Sequence, residues 1–156
     1  ALSTLQIAAL STNQAAALAA ATATAVTVAS FVALTTAEIA AFDKSDIAAL
    51  TTAQIGALTT AHASVLTTAQ IVALTTAQIP FLSTASLASV TSTVIAALET
   101  SDLVLLNTKQ LSALKSAQIA ALSTDQIITL TTQEIAAFAS AQASALALPK
   151  GLIFSA

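Results

Sequence analysis

The sequence predicts an all-α solenoid of very short helices, one for every eight residues. Three observations predict it. An eight-residue frame runs the length of the chain, most octads carry a helix-start signature, and that signature recurs too soon for any helix to be long. A long-helix bundle and a β-solenoid are the alternatives.

The frame is plainest at Leu50, Leu58, Leu66, Leu74 and Leu82, which lie eight apart and are each followed by Thr-Thr or Ser-Thr. Extended both ways from Ala1, it gives nineteen octads over residues 1–152, and Ile153–Ala156 begin another. Position two is apolar throughout, from Leu2 to Phe154, and position seven is mostly isoleucine or leucine. The expected core therefore includes Leu34, Ile39, Leu50, Ile55, Leu66, Ile71, Leu74, Ile79, Leu122, Ile127, Leu130 and Ile135. Positions one and eight are mainly alanine, read as permitting close approach. A frame without insertions is what a stack of equal units requires. The chain is thus a single array over 1–156.

Each regular octad carries a capping box, in which a position-three hydroxyl accepts from the backbone N–H three residues on. The glutamine or glutamate there reaches back to the cap N–H. The pairs are Thr35 with Glu38, Thr51 with Gln54, Thr67 with Gln70, Thr75 with Gln78, Ser123 with Gln126, and Thr131 with Glu134. Leu50 before the cap and Ile55 after the first turn have the spacing of a hydrophobic staple. A helix start every eight residues limits each helix to about five or six residues, barely more than one turn. Such segments do not persist alone in water and need neighbours. With two octads to a layer, the rod would be on the order of 80–100 Å long.

Against one long helix, eight residues advance about 800°, so position two would spiral around the surface instead of forming a stripe. Pro80 at position eight would also break a continuous helix. Against a β-solenoid, alanine and glutamine are poor strand formers and asparagine–glycine turns are missing. The pattern weakens in residues 17–32, which lose the box and read as irregular octads or a contact patch. Val94 stands where glutamine belongs, and proline and glycine within 147–156 mark a candidate C-terminal cap.

Composition narrows the function. Four lysines, seven acidic residues and a net charge of −3 leave too little positive charge to follow a run of phosphates, so no nucleic-acid partner is expected. Residues 15–34 are uncharged and apolar, but threonines interrupt them and no basic residues flank them, so membrane insertion is not expected. Without cysteine there is no thiol chemistry. His62, the only histidine, stands at the glutamine position and reads as a capping or solvent-facing residue. Asp43/Asp46 and Glu99/Asp102 read as acids at favourable helix N-termini rather than as an acid–base pair or a calcium site. No catalytic residue, cofactor, metal site or small-molecule ligand is expected, and the chain is not read as an enzyme.

The L-T-T-A-Q-I-A-A-L strings, clearest over 34–82 and 114–138, resemble octapeptide tracts of very large secreted or surface proteins of Gram-negative bacteria. The resemblance implies an extracellular or cell-surface spacer, stalk or filament component and brings no active residue with it. The expected function is a structural repeat protein whose partner is itself. Assembly would run through solenoid ends, with Leu2, Leu5 and Ile7 at one end and Leu152, Ile153 and Phe154 at the other. Excision from a longer array would account equally for apolar ends. An ice- or surface-binding threonine array is the alternative function.

Overall fold

The computed structural model describes residues 26–138 continuously and residues 6, 11, 13, 14, 17 and 142 singly. The elements in order are α1 (Val28–Val32), α2 (Thr36–Ala40), α3 (Lys44–Ala49), α4 (Thr52–Gly56), α5 (Thr60–Ser64) and α6 (Thr68–Val72). A 3-10 helix follows, η1 (Ile79–Phe81), and then α7 (Thr84–Ser89), α8 (Ser92–Ile95) and α9 (Thr100–Leu103). The last are α10 (Thr108–Ser112), α11 (Ser116–Ala121), α12 (Thr124–Ile128) and α13 (Thr132–Ala136). All α-helices have four to six residues, and no strand occurs among the described residues. The fold is a solenoid of short helices.

Most of the helices start where a cap is satisfied locally, although α9, which follows Glu99, has no side-chain cap bond. Thr51 is extended (φ −73°, ψ 156°), its side chain accepts from the Gln54 backbone N–H, and its own N–H donates to Gln54 Oε1. The same reciprocal pair forms at Thr35/Glu38, Asp43/Asp46, Thr67/Gln70, Asn107/Gln110, Ser123/Gln126 and Thr131/Glu134. At Thr75 only half of it forms, the Thr75 N–H donating to Gln78 Oε1 at 2.7 Å. Pro80 explains why this octad makes a turn and η1 instead of an α-helix. It has no N–H for the Thr76 carbonyl, and its ring clashes with a helical residue four back. None of the described helices has a glycine at its C-cap. In most octads the position-one residue stays right-handed, as at Ala57 (φ −91°, ψ 0°), and the next cap turns the chain extended.

Helices that pack on each other start 24 residues apart. Thr36, Thr60, Thr84, Thr108 and Thr132 open α2, α5, α7, α10 and α13, which stack in that order. A second face stacks α3, α6, α8 and α11. The third stacks α1 on α4 and α4 on η1, then α9 on α12. One turn of the solenoid is therefore three octads, not two. At about 8–10 Å per helix layer, the 113 residues from 26 to 138 make under five turns and span on the order of 40–45 Å.

The core follows the frame. Every expected core residue is buried except Ile135, which is half-buried. Most octads thus bury two large apolar side chains, at roughly 1.5–3 kcal/mol each, which offsets the cost of nucleating a single helical turn. One expectation changes. Position eight does not require a small residue for close approach, since Val72, Val104 and Ile128 occupy it and project outwards. Position three does the capping, as expected, and position four is the first helical residue. Within the irregular segment, the octad from residue 25 keeps the frame. Thr27 caps α1 by accepting from the Ser30 N–H, and Ser30 and Phe31 are buried. Most of 17–25, all of 147–156 and the expected assembly residues Leu2, Leu5, Ile7, Leu152, Ile153 and Phe154 lie outside the described residues.

Candidate functional site

The polar side chain at position six belongs to the interior. Glu38, Asp46, Gln54, His62, Gln70, Gln78, Ser86, Asp102, Gln110, Gln118, Gln126 and Gln142 are all buried. The reason lies in a carbonyl that the short helices leave over. The position-two carbonyl points along the solenoid axis after its helix has ended, where no helical N–H reaches it. A buried carbonyl without a donor is costly. The position-six amide of the next turn supplies that donor.

Gln70 shows the arrangement. Its Oε1 accepts from the Thr67 N–H at 2.9 Å, closing the box of its own octad. Its Nε2 donates to Phe42 O at 2.8 Å and Ile39 O at 2.7 Å, in the turn before. Gln78 reaches Leu50 O, Gln110 reaches Leu82 O, Gln118 reaches Val90 O and Gln126 reaches Leu98 O, at 2.6–2.8 Å and always 28 residues back. Gln54 to Val26 O and Gln142 to Leu114 O continue the series. One amide therefore caps a helix with its oxygen and joins two turns with its nitrogen. A capping box alone accepts glutamate as readily as glutamine, yet glutamine fills position six in nine octads and glutamate in two. That bias was the available signal.

His62 is a rung of the same ladder, which corrects the capping or solvent-facing expectation. It is 3% exposed, with Nε2 at 2.8 Å from Leu34 O and its ring edge-on to Phe31 at 6.0 Å between centroids. A carbonyl only accepts, so Nε2 carries the proton; Nδ1 is buried with no partner. Ser86 makes a shorter rung, its hydroxyl donating to Leu58 O at 2.7 Å.

Glu38, Asp46 and Glu134 at position six keep the box and lose the rung, and Asp102 makes neither. In Glu38 and Asp46 one carboxylate oxygen accepts the cap N–H, while Glu38 Oε1 and Asp46 Oδ1 are buried without a partner. Burial holds the Asp46 carboxyl above its ordinary range, with the Asp43 charge adding to the effect against the Asp43 N–H bond that lowers it. Asp43 shifts the other way, lowered first by the Ser45 hydroxyl and then by the Asp46 N–H. Burial also raises Asp102, as does the charge of Glu99. The acidic pairs thus sit at helix starts, with one member exposed and one inside. Among the described residues no cluster of three or more metal-binding side chains occurs, and no helix is long and apolar enough to cross a membrane.

Outside, one corner of the solenoid differs from the others. Position eight on the face of α1, α4, η1, α9 and α12 holds Val32, Gly56, Pro80, Val104 and Ile128, with Phe81 beside Pro80. Ile128 is 66% exposed and Phe81 53%. On the face of α2, α5, α7, α10 and α13 the same position alternates alanine and serine.

The ALTTAQ repeat family matches residues 29–60 and 95–132. Both stretches are similar to the ALTTAQ repeat. The stretch between them keeps the octad frame in sequence and in structure. No curated protein and no solved structure matches the chain.

Proposed function

We propose that this ALTTAQ-repeat chain is a structural element, a rod that serves as a spacer or filament-forming subunit and meets copies of itself end to end. The ladder supports this reading. The described turns present position-two carbonyls on one side and, where position six carries an amide, imidazole or hydroxyl, donors on the other, a pattern that would match one end of a stack to the opposite end of another copy. A head-to-tail contact of this kind propagates unless its geometry closes. The extracellular or cell-surface setting rests on the likeness of the octads to tracts of large secreted proteins. Sedimentation over a wide concentration range, with electron microscopy of the same material, tests the proposal. Growth into long rods, abolished by Phe154→Asp, is the expected result; a monomer at all concentrations overturns it.

A threonine array that binds ice or another regular surface is the second reading. One column favours it: Thr36, Thr60, Thr84, Thr108 and Thr132 stand at position four, one turn apart, and all are exposed. None of them caps its helix. Thermal hysteresis that Thr84→Val and Thr108→Val change together would support it; none at high protein concentration excludes ice.

A further inference from the structure

The ladder is not continuous: Glu38, Asp46 and Glu134 supply no rung towards either end, and between the fully described turns the widest gap falls at one level. The octads of residues 89–96 and 97–104 rest on those of 65–72 and 73–80. By the 28-residue rule their rungs would run from residue 94 to Leu66 O and from residue 102 to Leu74 O. Residue 94 is Val, which has no donor, and the Asp102 side chain makes no hydrogen bond to the turn below. No backbone N–H takes Leu66 O or Leu74 O. The third octad of this level has only the short Ser86 rung.

Packing is uneven at the same level. On the faces of the solenoid, η1 and α9 are the one successive pair not in close contact, and they are also the pair that lacks the Asp102 rung. On the opposite side α5 and α7 pack more closely than any other pair. The side chains there are small: Ala63 replaces the usual isoleucine or leucine, and Ser86 replaces glutamine. One side of the level is drawn together; the other two lack rungs, although α6 and α8 still pack on each other. The levels on either side are complete, with His62, Gln70 and Gln78 before it and Gln110, Gln118 and Gln126 after it.

We infer that this level is a built-in joint, at which the array divides into two blocks, residues 33–80 and 81–128, that open separately and hinge about the α5–α7 contact. In a solenoid, cooperativity between units is the sum of nearest-neighbour interface terms, so the weakest interface is where the stack parts. The joint depends only on the stacking and holds whether the rod is a spacer, a filament subunit or a surface binder. Under tension it gives way before the three-rung levels do.

Amide hydrogen exchange of the full chain at increasing urea tests the joint, because both blocks are read in one sample. The expected result is two protection levels, 33–80 against 81–128, separating by on the order of tenfold in exchange rate as urea weakens the stack. The double variant Val94→Gln/Asp102→Gln supplies both rungs and should bring the two blocks to one level. Gln118→Val/Gln126→Val removes two rungs one turn later and should create a new boundary between 81–104 and 105–128. A single protection level across 33–128 in the unaltered chain overturns the proposal. So does a pair of levels that neither double variant moves. Should the first double variant fail to fold, Asp102→Gln alone and the second double variant still decide.

Discussion

The turn of residues 57–80 rests on its predecessor through His62, Gln70 and Gln78, whereas the turn of 81–104 rests on it through Ser86 alone. Both levels keep an apolar core, although Ala63 breaks the run of large position-seven side chains. Ile55, Ile71, Ile79, Leu87, Ile95 and Leu103 are all fully buried. The two levels therefore separate contributions that a uniform repeat would confound. Apolar burial at positions two and seven holds the stack together, and the ladder adds to it level by level. An array can lose its rungs at one level and keep its axis.

If the core is common to both levels, truncating it should be equally costly at each. Ile71→Ala and Leu103→Ala should each destabilise by about 2–5 kcal/mol, since both leave cavities among fully buried neighbours. The urea midpoint measures this. A much smaller loss at Leu103 would mean that the joint is loosely packed as well as rung-free, and would sharpen the contrast.

The ladder should matter only where it exists. Gln70→Ala strands the Phe42 carbonyl and the Thr67 N–H and leaves the Ile39 carbonyl only its backbone donors, so it should cost about 1–3 kcal/mol. Thr67→Ala removes only the bond from the Gln70 N–H and should cost about 1 kcal/mol. Equal losses at the two positions would reduce the position-six amide to a cap and break the comparison between the levels.

The smallest effect is that of pH, and it falls on the buried acids. Asp102 at the joint and Asp46 both have carboxyls raised above 3.8 by burial. The unfolded chain holds each proton less tightly than the folded one. Their contribution is therefore complete below pH 3.8 and is lost as pH rises through the raised values. Asp43 is lowered instead, so its contribution is present above pH 3.8 and lost only on further acidification. The urea midpoint should rise as pH falls from about 7 to about 4, and Asp102→Asn should flatten that rise. A midpoint that falls throughout this range would show that neither buried acid governs it.

Much of the fold was legible because it is local. A threonine three residues before a glutamine caps a helix through bonds inside one octad, and Leu50 and Ile55 mark the inward side without reference to any other turn. His62 misled for the same reason. Its backbone N–H does take the Thr59 hydroxyl at 3.1 Å, as a capping reading expects, but the fate of its ring depends on Leu34, far back in the chain. Nor did the rod length follow, because an octad repeat does not state how many octads complete a turn.

By itself, then, the sequence determined the unit: a one-turn helix every eight residues, capped at position three and apolar at positions two and seven. These are set by backbone hydrogen bonding and side-chain spacing within a few residues. Only the tertiary structure decided that three octads make a turn, that position six faces inwards, and that the ladder is missing at Val94 and Asp102. The rotation from one octad to the next follows from how helices 24 residues apart pack. That packing brings each position-six side chain to a carbonyl 28 residues earlier, a relation that no local pattern encodes.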